Sequence, residues 1–247
     1  MPCIERSTLG RYVSPLDLLA MFEPALPGRL AAVRATIRRR QCAGGWGHPV
    51  RIVAVTKGHG PEAVRAAAAA GLDIVGENRV QEALEKQDRC RDVPIEWHLI
   101  GTLQRNKVRH VVRRFSLIHS IDRLDLAQAL DQRLDAGAVQ PVLVQVNCSH
   151  EPQKGGIEPD DLASLLDALR ELLRLEVRGL MTMAAFTADE REQRRAFALL
   201  RTLRDRGRGA GHPLVELSMG MSGDFGAAVE EGATMLRLGT ILFGARE

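Results

Sequence analysis

Arg51-Ile52-Val53-Ala54-Val55-Thr56-Lys57 is the stretch whose reading decides the fold. An apolar, β-branched run around one arginine reads as a buried strand. Gly58-His59-Gly60-Pro61 then marks the turn into an alanine-rich helix. Lys57 therefore stands where a buried strand ends. A lysine there is either a surface residue just past a sheet or a cation aimed into a pocket, and its surroundings decide which.

The same strand-then-helix unit recurs outward from that stretch. Further strands are expected over residues 73–76, 95–100, 116–119, 141–146, 175–180, 214–217 and 234–238. Helices are expected over 61–70, 78–87, 104–114, 123–135, 159–173, 189–206 and 224–231, with Pro61 opening the first and Gly71 stopping it. Alternation of this kind means a parallel sheet, and eight strands predict a closed (β/α)8 TIM barrel, an α/β fold in one domain spanning residues 28–247. An amphipathic helix over 28–41, with Leu30, Val33 and Ile37 on one face, is expected in the outer ring near the last strand. Residues 1–27, with prolines at 2, 15, 24 and 27, read as an N-terminal extension, partly disordered or draped on the surface. The competing architecture is an open doubly wound sheet, but no G-x-G-x-x-G follows the first strand.

Composition narrows the function. The 247 residues are 45% hydrophobic and 26% charged, an ordinary globular balance. No apolar run of membrane-spanning length occurs, and the first residues lack the apolar core of a secretory signal. The four cysteines are scattered, without C-x-x-C, so reduced thiols, a cytoplasmic location and no metal site are expected. A net charge of +3 and 4% aromatic residues argue against a nucleic-acid partner, and no membrane partner is expected either. Arg38-Arg39-Arg40 and the basic stretch from Arg105 to Arg114 read as solvated helix faces, the second being a candidate polyanion or partner surface.

The chemistry of such a barrel gathers at the C-terminal ends of its strands. There the sequence puts Lys57, Glu77-Asn78, Gly101, His119, Asn147, Met183, Ser218 and Gly239-Thr240. Ser218-Met219-Gly220-Met221-Ser222-Gly223-Asp224 and Gly239-Thr240 offer hydroxyls and backbone N–H groups before helices, a pattern that attracts phosphate; a helix cap is the plain alternative. Arg237 sits inside Met235-Leu236-Arg237-Leu238, where an unpaired charge is costly. It is either a rim arginine with an apolar stem or a donor aimed into the pocket. A lysine beside a phosphate site points to Schiff-base chemistry.

Ala54-Val55-Thr56-Lys57, Gly76-Glu77-Asn78-Arg79-Val80-Gln81-Glu82, the run from Trp97 to Lys107, Arg178-Gly179-Leu180-Met181-Thr182-Met183, Leu217-Ser218-Met219-Gly220-Met221-Ser222 and Arg237-Leu238-Gly239-Thr240 resemble the pyridoxal phosphate homeostasis proteins. These are single-domain relatives of the alanine racemase N-terminal barrel. The resemblance covers residue 28 to the C-terminus and implies fold-type III binding of pyridoxal 5′-phosphate (PLP). By that resemblance Lys57 is the Schiff-base lysine; Ser218, Gly239 and Thr240 hold the phosphate; Arg237 faces the pyridine nitrogen; and Asn78 and Met183 line the ring pocket. His98 is a further candidate, or a buried, hydrogen-bonded strand histidine. Departures are Thr56 where the family often has Ser, and Thr102 where it often has His.

The resemblance leaves enzyme and carrier open. An arginine at the pyridine nitrogen disfavours protonating it and makes the ring a poorer electron sink. A racemase also needs a base on each face of the substrate carbon. Alanine racemases take the second from a tyrosine of another domain, whereas the one tyrosine here, Tyr12, lies outside the matching region. The expectation is therefore a monomeric, non-catalytic PLP binder serving intracellular vitamin B6 homeostasis, with PLP-dependent apoenzymes as candidate partners. The alternatives are a low-activity alanine racemase, an aldolase using Lys57 on a sugar phosphate, and a scaffold.

Overall fold

The structure, a computed structural model, describes residues 25–151 and 153–245. Eight parallel strands close on themselves in chain order. They are β1 (Arg51–Val55), β2 (Ile74–Glu77), β3 (Glu96–Leu99), β4 (Leu117–Ile121), β5 (Gln140–Gln145), β6 (Leu175–Met181), β7 (Glu216–Ser218) and β8 (Met235–Leu238). β1 pairs with β2 on one side and with β8 on the other, where Val53 lies opposite Arg237. That last pairing rules out the open sheet and establishes the (β/α)8 barrel.

The helices form the outer ring: α1 (Leu26–Gly44), α2 (Pro61–Ala69), α3 (Val80–Arg89), α4 (Val108–Val111), α5 (Leu124–Asp131), α6 (Leu162–Leu169), α7 (Glu190–Gly209), α8 (Phe225–Glu230) and α9 (Thr240–Phe243). α1 carries Pro27 in its first turn and ends on Gly45, whose φ of 73° suits a residue without Cβ. Its buried stripe, Leu26, Leu30, Val33 and Ile37, packs beside α8 and α9 near the last strand, where the sequence places it. The expected extension falls outside the described residues up to residue 24, while Leu26 and Pro27 already belong to this helix.

Three expected helices are shorter: 123–135 stops at Asp131, and two others break into a 3₁₀ turn and a short helix. Residues 104–114 divide into a 3₁₀ turn, Arg105–Lys107, and the single turn of α4, after which Val112 is extended and Arg113 has φ of 63°. Only Val108 and Val111 of this stretch are buried, with Val112 partly so, and packing supports one turn and no more. The stretch 159–173 becomes a 3₁₀ turn, Pro159–Asp161, followed by α6, because its leucine stripe ends at Leu169 and Leu173 is exposed.

Alternation along each strand sends one set of side chains outward to the helices and the other into the barrel. The outward set joins one continuous core with the helix stripes. Inside the barrel, Leu117, Leu143, Met181 and Met235 form a separate apolar cluster, with Met183 packed against it. The β5–β6 register shifts between Val142 and Leu143. Just beyond that shift, Gly179 lies so close to β7 that a Cβ would stand 2.1 Å from the Glu216 carbonyl oxygen. Among the described residues no helix is long and apolar enough to cross a membrane.

Candidate functional site

Parallel closure puts all eight C-terminal strand ends on one face. Lys57 follows β1 half-buried, Asn78 follows β2, Gly101 follows β3, Met183 follows β6, and Gly239-Thr240 joins β8 to α9. The pairing of β1 with β8 brings the first and last of these side by side: a Cβ on Gly239 would lie 3.3 Å from the Val55 carbonyl oxygen. The ring of His59 stands 5.6 Å from that of Phe243, tying the loop after Lys57 to α9.

The backbone on either side of Lys57 is clamped from behind. Thr56 points outward and its Oγ1 donates to Glu77 Oε1 at 2.6 Å. Lys86, from α3, donates to the Thr56 carbonyl (2.8 Å), to Glu77 Oε1 (2.7 Å) and to Glu82 Oε1 (2.9 Å). Glu82 Oε1 also accepts from the Gly58 N–H at 2.8 Å. Glu77 is fully buried, and its Oε2 has no hydrogen-bond partner among the described residues. Burial pushes the Glu77 carboxyl above the usual carboxylate range against the pull of Lys86 and Thr56. The substitution of Thr56 for the family's serine therefore keeps the hydroxyl that matters here.

Gly101 needs to be glycine for the same face to form, because a Cβ there would stand 2.1 Å from the Asn78 carbonyl oxygen. Ser120 Oγ anchors the Gly101 carbonyl at 2.7 Å. Gly101→Ala is expected to push the Asn78 loop outward at a cost of about 1–3 kcal/mol, typical of overpacking. The check is thermal unfolding, with Gly47→Ala, where a Cβ meets nothing within 4 Å, as control.

Arg237 is turned into the barrel and buried, the second of the two readings that its place between apolar neighbours left open. Its Nη1 donates to the Ser218 carbonyl and to Ser218 Oγ, each at 2.8 Å, and its Nη2 donates to the Thr182 carbonyl at 2.8 Å. Three of the five guanidinium N–H groups are used in these bonds. Burial lowers its pKa to about 10, against the opposing charge of Asp224, so it remains a cation at neutral pH.

Ser218, expected at the phosphate, has its hydroxyl engaged with two buried neighbours. The alternation that turns Arg237 inward does the same to Ser218, whose hydroxyl lies between Arg237 and His119 Nδ1 (2.9 Å), below the rim. The hydroxyl at the rim belongs to Ser222, four residues on. Its Oγ accepts from the Gly239 and Ile241 N–H groups, each at 3.3 Å. Asp224 closes that loop through a 2.5 Å bond from the Met221 N–H. Ser222 was visible in the quoted loop, but strand register alone tells which of two serines reaches the rim. Glu77 and His119 stand at strand ends in the sequence but carry no assigned role there, and Lys86 is not singled out at all. The i, i+4 spacing of Glu82 and Lys86 is the signal that could have found Lys86. His98 is a buried strand histidine bonded to His119, with no exposure toward the rim.

Among the described residues no group of three or more His, Cys, Asp or Glu side chains is placed to hold a metal ion. The residues gathered at and just below this face are rich in donors: Lys57 and Thr240, the buried Arg237, and the Gly239 and Ile241 N–H groups, which Ser222 Oγ meets at 3.3 Å. That set suits a ligand with an anionic phosphate, an aldehyde or ketone, and a ring acceptor.

Comparison with known proteins adds three findings. A family profile described as the alanine racemase N-terminal domain matches residues 29–247. The chain is 46% identical over 222 residues to the pyridoxal phosphate homeostasis protein of Pseudomonas aeruginosa, an overlap of 88% of this chain and 94% of that protein. PipY of Synechococcus elongatus PCC7942 superposes with a TM-score of 0.80 at 40% identity in its form without PLP, and 0.78 at 39% with PLP bound. Each overlap covers 89% of this chain and 100% of PipY.

Proposed function

Because this chain belongs to the pyridoxal phosphate homeostasis protein family, we propose that it binds PLP at the C-terminal face of its barrel and holds it for PLP homeostasis without turning over a substrate. PLP supplies a reactive aldehyde that forms a Schiff base with an amine, and Lys57 is the amine held at that face. Ser222, Gly239, Ile241 and Thr240 receive the phosphate through hydroxyl and N–H groups. Asn78 and Met183 bound the ring pocket from the ends of β2 and β6. Ser218 acts one layer below, under Arg237. The homeostasis name of the relatives and the PLP-bound PipY support this reading.

The observation that carries the absence of turnover is the bonding of Arg237. A buried guanidinium pinned by three hydrogen bonds can only donate, so a ring nitrogen held against it would stay unprotonated. Such a ring would be a poorer electron sink, which would disfavour racemisation. The racemase alternative is tested by solvent deuterium incorporation at the α-carbon of alanine, expected to be absent over a long incubation.

Binding is tested by mixing the purified protein with PLP, recording the visible spectrum, and trapping with borohydride. A visible band distinct from free PLP, and a reduced adduct on the peptide containing Lys57, are expected for the wild type. Both are expected to vanish in Lys57→Ala. A wild-type protein that shows neither overturns the reading. An adduct formed with a sugar phosphate in the absence of PLP would support the aldolase alternative.

A further inference from the structure

Below the rim, the barrel interior holds a line of polar groups that the apolar inner cluster does not need. Arg237 Nη1 meets Ser218 Oγ at 2.8 Å, Ser218 Oγ meets His119 Nδ1 at 2.9 Å, and His119 Nε2 meets His98 Nδ1 at 3.0 Å. His98 Nε2 then lies 3.7 Å from Glu96 Oε2 on a half-exposed carboxylate at the other end of β3. Ser218, His119 and His98 are at most 1% exposed, so each proton in the line has to find its acceptor within the line.

The upper end dictates the direction. There the guanidinium only donates, so Ser218 Oγ accepts from it and its single proton is free for His119 Nδ1. His119 Nδ1 is therefore bare and accepts that proton. A neutral His119 then carries its one proton on Nε2 and donates it to a bare His98 Nδ1, which leaves the proton of a neutral His98 on Nε2, the side that faces Glu96. Both rings are neutral. Complete burial, together with the positive charges of Arg51, Arg178 and Arg237, pulls His98 down to about 3 and His119 well below its ordinary value. The other charged groups at the lower end, Arg51 with Glu216 and Arg178 with Glu176, are paired with each other.

We infer that Arg237, Ser218, His119 and His98 form a one-way hydrogen-bond relay ending at His98, with both imidazoles fixed as neutral Nε2–H tautomers. His119 and His98 are positioning residues for Arg237. The lone pairs of the relay all point toward the guanidinium, and that orientation holds a buried cation whose nearest carboxylate influence is Asp224. The consequence for the cofactor rests on the PLP reading above; the relay itself does not.

The test has two arms. In the first, the full chain, labelled with ¹⁵N-histidine and without added PLP, is examined by NMR from pH 8 to pH 5. His98 and His119 are expected to show a bare Nδ1 and a protonated Nε2 throughout. An Nδ1–H tautomer, or a doubly protonated ring, for either residue in this range overturns the relay. In the second, PLP affinity is measured for His119→Asn, whose amide oxygen can accept from Ser218, and for His119→Leu, which cannot. The Leu variant is expected to bind about tenfold more weakly, with Asn closer to wild type. A folded Leu variant with wild-type affinity overturns the link to the site. If the wild type binds no PLP the functional reading fails, while the NMR arm still decides the relay; it also decides if the Leu variant does not fold.

Discussion

Lys86→Met is expected to lower the unfolding free energy by about 3–5 kcal/mol in urea titrations at pH 8. Lys86 is 5% exposed and Glu77 is not exposed at all. Removing the ammonium leaves a buried carboxylate with only the Thr56 hydroxyl on Oε1 and nothing on Oε2. Breaking such a pair costs far more than the pair contributes, because the remaining charge is stranded in a medium of low polarity. Two further outcomes separate this cause from lost packing. Combining Lys86→Met with Glu77→Leu is expected to recover most of the loss, since two apolar groups leave no stranded charge. The deficit of the single variant is also expected to shrink from pH 8 to pH 5. Losing the ammonium raises the folded-state Glu77 pKa further, and a carboxyl raised in the fold is stabilising below its unfolded pKa and destabilising as pH rises through the folded value. A deficit that is under 1 kcal/mol, or that the second substitution fails to relieve, would count against this account. The same variant is expected to loosen Thr56 and Gly58, and with them the segment that carries Lys57.

The second large effect is acid destabilisation from the two barrel histidines. In the unfolded chain each imidazole protonates at about 6.5. In the fold His98 stays neutral to about 3, and His119 is depressed as well. The unfolded state therefore takes up protons that the folded state refuses. This contribution is complete above pH 6.5 and is lost as pH falls toward the folded-state values. Each histidine accounts for about 1.4 kcal/mol per pH unit, so about 2–3 kcal/mol per unit is expected below pH 6. Glu77, shifted upward, offsets a part of it at the acid end. Urea titrations at pH 7, 6, 5 and 4 measure the slope. A flat profile from pH 7 to pH 5 would mean that the rings are charged in the fold. His119→Asn, which removes one of the two groups, is expected to make the slope shallower by about half.

How much of the site was legible depends on what kind of signal each residue left. Lys57 was readable because a lysine at the end of an apolar β-branched run has few places to be, and Arg237 because a charge inside an apolar strand needs a reason. Gly239 and Thr240 followed from their position after the last strand. Ser218 against Ser222 was not readable from the loop alone. Which serine reaches the rim depends on where β7 stops, and the strand, expected at 214–217, runs from Glu216 to Ser218. The broken helix at 104–114 was hidden for a related reason: its charge pattern suits a helix, and only the core decides that a single turn is supported.

By itself the sequence determined the alternation of eight strands with helices, the place of Lys57 at the end of the first, and the family to which the blocks conform. These rest on local periodicity and on residue types at fixed spacing, which survive in one dimension. Tertiary structure alone decided what lies across the barrel from what. The pairing of β1 with β8 brings Val55 against Gly239, α3 places Lys86 behind Thr56, and inward alternation lines up Arg237, Ser218, His119 and His98 from four different strands. Those contacts join residues 21 to 99 positions apart in several cases. Their energies come from burial, which raises the cost of every unpaired charge or proton, and burial exists only once the barrel has closed.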